Sequence, residues 1–399
     1  MVVNYYICTM IPRMAEKTLR ALAGQFRSVA VVGPRQSGKT TLVQKVFPRK
    51  PYSSLEDPDE RLFATSDPRA FLARYKNGAI LDEAQKAPAL FSYLQHVLDT
   101  TTKDGLFILT GSNNFLLQQS ISQTLAGRIG YIDLLPLSFH EIQHFDNSNY
   151  STNELLWAGC YPEIFDRKRK PSQWYPAYIR TYIERDVKQL KNIENTLLFN
   201  RFLQLCAGRI GQQLNVAALS NECGIDVKTV QSWLSVLQSS YILFLLPPHF
   251  SNFNKRVVKS PKLYFYDTGL ACSLLGIHHT HELQNSHFRG FLFENYVIIE
   301  CLKQKCNSGS NTLFYYWRDN KGIEIDLLAD TGQKLIPIEI KASQTFQESF
   351  IKNINAWNGF ANQTGGIALY DGDANYLRSD KIKVTNWRDK NVFKDLWSS

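Results

Sequence analysis

Residues 28–41, Ser-Val-Ala-Val-Val-Gly-Pro-Arg-Gln-Ser-Gly-Lys-Thr-Thr, decide how this chain is read. The opening SVAVVG (28–33) is a continuous apolar run, the pattern of a strand buried on both faces. It ends in Gly33-x4-Gly38-Lys39-Thr40, the spacing of a phosphate-binding loop, and Lys39 to Phe47 has the periodicity of the helix that should follow. Gly33 and Gly38 let backbone N–H groups turn inward, and the helix N-terminus adds a dipole that favours an anion. In such a loop Lys39 holds the terminal phosphates and Thr40 ligates Mg²⁺, with Thr41 beside them. The expected cofactors are therefore ATP and Mg²⁺.

Working outward, AILD (79–82) reads as a second buried strand and runs into Glu83. Asp82 at its tip would hold the metal, and Glu83 would orient and deprotonate the attacking water. A protein that only bound nucleotide would not need Glu83. A third strand, LFILTG (106–111), is followed by Ser112 and Asn113. Asn113, with Ser112 as the other candidate, would contact the γ-phosphate. Arg128 could supply a transition-state cation, in cis or to a neighbouring subunit of a homo-oligomer. Helical periodicity in Leu90 to Leu98 lies between the second and third strands. Buried strands alternating with helices imply an α/β fold with a parallel sheet covered on both faces.

Beyond residue 150 the pattern becomes helical, rich in Tyr, Trp and Arg over 154–210. Val216 to Cys223, a turn at Gly224, and a helix opened by Asp226 and ending near Gln238 form a helix-turn-helix. The strands YILFLL (241–246) and KLYFYD (262–267) flank a basic stretch, completing the outline of a winged helix-turn-helix. Lys228, Thr229, Gln231 and Ser232 would face a DNA groove, and Lys255, Arg256 and Lys259 its phosphates. The competing reading is a structural lid. Four histidines within 276–287 lack regular ligand spacing, so this stretch is expected as a solvated linker. These changes divide the chain into 1–150, an ATPase domain; 151–275, a helical and winged-helix domain; and 276–399, a smaller α/β domain.

In that last unit Phe288 to Cys306 reads as a helix, 313–319, 324–330 and 335–342 as strands, 347–357 as a helix and 366–372 as the final strand. Alternation along a strand puts Glu339 and Lys341 on one face, with Asp326 on the neighbouring strand. This looks like the PD-(D/E)XK nuclease constellation, whose helical acid Glu294 would match. The resemblance implies that Glu294, Asp326 and Glu339 share a second divalent cation, Mg²⁺ or Mn²⁺, with Lys341 orienting a water. Ile325 stands where that motif has proline.

GPRQSGKT, SSLEDPDERLFA, AILDEAQKAP, LTGSNNFLL and LAGR, in this order, resemble a prokaryotic family of AAA-like ATPases that end in a domain of unknown function, the AAA plus DUF4143 type. YIERD (182–186), KLYFYDTGLA and GFLFENYV extend the likeness over nearly the whole chain. It implies an AAA-type core, a winged-helix middle and a nuclease-like end, with Arg185 as a second arginine sensor.

A chain of 399 residues with 44% hydrophobic and 20% charged residues is long enough for several cored domains. Its net charge of +9 points modestly to an anionic partner such as DNA or another nucleic acid. Seven scattered cysteines suggest neither a disulfide framework nor a zinc site, and no convincing signal peptide or membrane-spanning run is found. A cytoplasmic ATPase is expected, coupling nucleotide state to a winged-helix and nuclease-like module that acts on nucleic acid. The alternative is a nucleotide-gated scaffold whose silent C-terminal domain binds a protein.

Overall fold

The computed structural model describes residues 10–112, 121, 124–187, 193, 195–249 and 260–392, without the side chains of 184–187. A five-stranded sheet comes first, built from β1 (Ser28–Val32), β2 (Tyr52–Ser54), β3 (Ala79–Asp82), β4 (Phe107–Gly111) and β5 (Ile129–Asp133). All its pairings are parallel, and the order is β2-β3-β4-β1-β5.

Every residue of β1, β3 and β4 is buried, as their unbroken apolar runs require. Alternate side chains go to opposite faces. Val29 and Val31 pack with Leu19, Leu42 and Val43 of helices Glu16–Ala23 and Lys39–Val46. Ala30 and Val32 lie in a second cluster with Phe71 and Leu94 of helices Pro68–Arg74 and Leu90–Thr100. The expected doubly covered parallel sheet is present, with two more strands than the apolar runs revealed. β2 has only three residues, and β5 alternates, with Tyr131 exposed. Neither makes a continuous buried run.

Helices Val216–Cys223 and Val227–Ser239 stand where their caps foretold. Asp226 accepts from the Thr229 amide, and Gly224 takes the left-handed conformation, φ 74°. They lead to an antiparallel hairpin of β6 (Leu243–Leu246) and β7 (Lys262–Phe265), in which Leu246 opposes Lys262. The histidine stretch departs from expectation. It forms a short helix, Thr280–Gln284, because Leu283 has core to bury against, while its histidines stay exposed.

The C-terminal sheet has six strands: β8 (Leu313–Arg318), β9 (Glu324–Asp330), β10 (Leu335–Lys341), β11 (Gly366–Tyr370), β12 (Tyr376–Leu377) and β13 (Ile382–Asn386). β8, β9 and β10 form an antiparallel meander, and β11 and β13 extend it in parallel. The chain therefore does not close at 366–372, since β13 pairs beyond it. Helix Arg289–Ser308 covers one face and helix Lys352–Ala361 the other. One hydrophobic cluster runs from Leu137 through the middle unit to Trp387, so the middle and C-terminal units share a core.

Candidate functional site

At the tip of β1 the chain must turn under backbone. A Cβ on Gly33, whose φ is +151°, would lie 2.2 Å from the Leu134 carbonyl oxygen. Gly38, φ +89°, sits left-handed just before helix Lys39–Val46. Lys39 is buried, and its Nζ donates to the Gly33 and Pro34 carbonyls at 3.1 and 2.8 Å, folding back over the loop. Burial holds its proton affinity below the ordinary lysine value, against the opposing pull of Glu83 and Asp82. Ser37 Oγ is buried with no hydrogen-bond partner. A cradle closed to side chains, an idle hydroxyl and an ammonium spent on carbonyls suit a bound phosphate chain with its metal.

β4 lies between β1 and β3, yet the tips of the outer two meet. Thr40 Oγ1 donates to both carboxylate oxygens of Asp82, at 3.0 and 3.1 Å. Asp82 also accepts from the Tyr52 hydroxyl at 2.7 Å and from Thr110 Oγ1. Burial and the Asp82 charge drive the Tyr52 proton affinity far up, so Tyr52 remains a donor. These partners of Asp82 are neutral hydroxyls that can rotate away, so its charge is left for a cation.

Glu83 follows in a left-handed conformation, φ 53°, which a non-glycine residue adopts at a cost. Its Oε2 accepts from the Ser112 amide at 3.2 Å, from Ser112 Oγ at 2.8 Å and from Gln85 Nε2. The β4 tip thus engages Glu83 through Ser112, while Asn113 lies outside the described residues. Gln85 and Thr110 were missed in the sequence, where nothing distinguishes them from neighbouring polar residues.

Arg128 precedes β5 at the sheet edge opposite the phosphate loop, since Ser28 pairs with Ile129 and Val32 with Asp133. The five-residue strand puts about 16 Å between Arg128 and that loop. It is ion-paired with Asp99. Service in cis is excluded by this separation. Arg185, expected as a second arginine sensor, lies outside the described side chains.

A cleft of about 230 Å³ opens beside the loop, lined by Met10, Ile11, Gly38, Thr41, Leu137 and Pro162 among others. Its walls are pinned from two directions. Arg13, itself buried, donates to the Ser37 and Leu135 carbonyls, each at 2.6 Å, and to Glu141 at 3.1 Å. Lys303 of the C-terminal unit donates to the Leu137 carbonyl and to Glu300, both at 2.8 Å, and Glu300 accepts from the Phe139 amide at 2.8 Å. The Glu300–Lys303 pair is almost wholly buried and was not singled out in the sequence. Its i, i+3 spacing is that of an ordinary surface pair.

Of the proposed groove residues, Lys228 and Gln231 are exposed, but the Thr229 hydroxyl is bonded to Asp226 at 2.5 Å as part of the helix cap. Lys255, Arg256 and Lys259 lie outside the described residues.

Glu294, Asp326, Glu339 and Lys341 belong to one linked set of charges, but not as ligands around one point. Asp326 Oδ2 accepts from Lys341 Nζ at 3.0 Å and the Ile340 amide at 2.8 Å. Glu339 lies 2.5 Å from the same Nζ. Glu294 Oε1 turns to Lys262 Nζ at 3.0 Å and the Tyr264 hydroxyl at 2.5 Å. Among the described residues no group of three or more His, Cys, Asp or Glu is disposed to hold a metal. The expectation of a second divalent cation on Glu294, Asp326 and Glu339 is corrected: lysine ammonium groups have taken their charge. Burial, aided by Asp326, raises the proton affinity of Glu339 well above the carboxylate norm despite Lys341. Lys262 stays firmly protonated, because Glu294, Tyr264, Asp326 and Glu324 outweigh the burial that works against its charge.

Family profiles match an AAA domain over residues 25–143, a domain of unknown function (DUF8612) over 149–281 and a domain of unknown function (DUF4143) over 289–389. An uncharacterised protein of Mycobacterium tuberculosis is 30% identical over 344 residues, covering 85% of this chain and 76% of that protein. The chain belongs to this AAA–DUF4143 family. A Mycobacterium bovis relative of the AAA–DUF4143 protein matches with the same figures. Among solved structures, the Walker-type ATPase PABY2304 of Pyrococcus abyssi is 14% identical over 66% of this chain and 96% of its own, with a TM-score of 0.46. The AAA match over residues 25–143, on the phosphate loop Gly33–Thr40, gives the AAA–DUF4143 protein an AAA-type P-loop ATPase domain. No helix among its described residues is long and apolar enough to cross a membrane.

Proposed function

We propose that this protein hydrolyses Mg²⁺-bound ATP and passes its nucleotide state to the middle and C-terminal units, with nucleic acid as the partner class favoured by its charge of +9. The observation that carries this reading is the meeting of Thr40 and Asp82, 42 positions apart in the chain, at 3.0 Å. Lys39 leaves the Gly33 and Pro34 carbonyls for the phosphates, which face the inward amides of 33–40. Thr40 and Asp82 would hold the metal, which when bound would offset charge on the phosphoryl oxygens. Glu83 turns from Ser112 and Gln85 towards the water and takes its proton as the water oxygen bonds to the terminal phosphorus and the bond from that phosphorus to the bridging oxygen breaks, releasing ADP; the proton returns to solvent after phosphate leaves. The adenine would rest in the cleft beside Gly38 and Thr41. Arg128 acts on a neighbouring chain, so turnover depends on assembly.

The route to the C-terminal unit runs through the wall of the same cleft. Leu137 lines it, and Lys303 and Glu300 grip the backbone of 137 and 139. Movement of that wall on nucleotide binding would reach helix Arg289–Ser308 directly.

A second reading, a nucleotide-gated scaffold with a silent C-terminal unit, is favoured by the lysine-paired acids there. One assay series separates the readings: ATP turnover with and without DNA or RNA, beside a cleavage assay in Mn²⁺. Stimulated turnover supports the nucleic-acid reading. Steady turnover without stimulation or cleavage supports the scaffold. Absence of turnover, with Glu83→Gln no different from the parent chain, overturns both.

A further inference from the structure

A groove of about 920 Å³ opens between helices Pro68–Arg74 and Leu90–Thr100, which bury Phe71 and Leu94 against the ATPase sheet. Arg69, Ala73 and Lys76 line one wall, at the spacing of a single helix face that carries on into the following turn. Tyr93 and His96 line the other, and all five are exposed. Leu72 and Val97 supply the apolar part of the lining.

The charged side chains of this groove, Arg69 and Lys76, are both cations. Among the described residues no ion pair joins either to a carboxylate, whereas Arg74 between them is taken by Glu60 at 2.8 Å. Helix Pro68–Arg74 has no acid of its own, and Asp99, the one acid of Leu90–Thr100, is occupied by Arg128. Positive charge is therefore left uncompensated here. Beside it stands Tyr93, 38% exposed, with the Arg69 guanidinium carbon 5.8 Å from the ring centre. An exposed ring next to a guanidinium gives a base a surface to stack on and its phosphate a partner at once. A duplex keeps its base faces stacked, so such a ring favours an unpaired strand.

We propose that this groove binds single-stranded nucleic acid, with Arg69 and Lys76 on phosphates and Tyr93 stacked on a base. The inference rests on the nucleic-acid reading above and places the contact on the ATPase domain, away from the helix-turn-helix. The groove also has a route to the chemistry. Its walls are the helices that precede and follow β3, the strand running into Glu83, and Gln85, which donates to Glu83, lies just before helix Leu90–Thr100. A strand drawn into the groove bears on both sides of the Asp82–Glu83 pair, so binding should accelerate turnover.

The test uses full-length chain and the fluorescence anisotropy of a labelled oligo-thymidine strand at several salt concentrations, with ATP turnover measured alongside. The parent should bind the strand more tightly than the same length of duplex. Arg69→Glu with Lys76→Glu should weaken binding at least about tenfold and flatten the slope of log affinity against log salt by about 1.4, the loss of two phosphate contacts. Arg69→Gln with Lys76→Gln replaces that pair if it lacks a cooperative melt, and should show the same flattening. Tyr93→Ala should weaken binding about fivefold or more with the slope unchanged, and Tyr93→Trp should restore it. Lys168→Glu with Lys170→Glu, the same charge change on an exposed loop, should stay within about twofold of the parent. Binding and stimulation that survive both groove changes would overturn the inference and leave the nucleic-acid reading standing. So would equal weakening by the loop control, or displacement by poly-glutamate with Tyr93→Ala silent, which marks an acidic polypeptide as the occupant. A parent chain that binds no oligonucleotide would remove the nucleic-acid reading and the inference together.

Discussion

Two sets of carboxylates in this chain gather beside lysines, and they have opposite fates. At the first, Asp82 is held by the hydroxyls of Thr40, Tyr52 and Thr110, while Lys39 is turned away onto carbonyl oxygens. At the second, Asp326 and Glu339 share Lys341, and Glu294 and Glu324 share Lys262. Hydroxyls satisfy a carboxylate without cancelling its charge, whereas ammonium groups cancel it. The first arrangement waits for a cation and the second already has one. Residue identity does not separate the two cases; the partners do.

Several substitutions can break this contrast. Lys39→Ala removes the one phosphate-seeking ammonium of the first set, and nucleotide binding should fall below detection in calorimetry; retained binding would show that the loop is not the site. Glu83→Gln should hold ATP but lower its turnover by about 10²–10⁴-fold, the usual worth of a general base. Radiolabelled ATP trapped on the variant is the readout.

The second set should respond in stability instead. Lys341→Ala strands Asp326 and Glu339 without their cation, and urea unfolding should register a loss of about 2–4 kcal/mol, less than for a fully buried pair because Lys341 is one-third exposed. Asp82→Asn, which removes charge but leaves hydroxyl partners, should cost about 1 kcal/mol or less in the same assay. If the two losses were equal, the contrast would fail.

Arg128→Ala should leave ATP affinity intact and lower turnover only at concentrations where chains associate, seen as loss of the concentration dependence of the specific rate. Ser112→Ala removes one of three donors on Glu83, and a change in turnover of about three- to tenfold is expected. It is the smallest effect, because the Ser112 amide and Gln85 remain.

What could be read without coordinates follows the same physics. Unbroken apolar runs and glycine spacing are local, so β1, β3, β4, the phosphate loop and the Asp82-Glu83 pair were all legible. So were the helices announced by Asp226 and Gly224. The three-residue β2, alternating β5 and the terminal β13 were not, since short or half-exposed strands leave no run. Lys262 illustrates the larger gap. In sequence it is the first residue of an ordinary strand, 32 positions from Glu294 and 62 from Glu324. Only the docking of the hairpin on the C-terminal sheet makes it a counter-ion. Likewise Glu300 and Lys303 read as a surface pair until the wall of the nucleotide cleft is seen folded over them.

The most direct measurement is a count of Mn²⁺ bound per chain in the presence of a non-hydrolysable ATP analogue, with Asp82→Asn and Asp326→Asn compared against the parent. One ion per chain is expected, lost in Asp82→Asn and kept in Asp326→Asn. Two ions, or one that disappears with Asp326 and survives the change at Asp82, would contradict it.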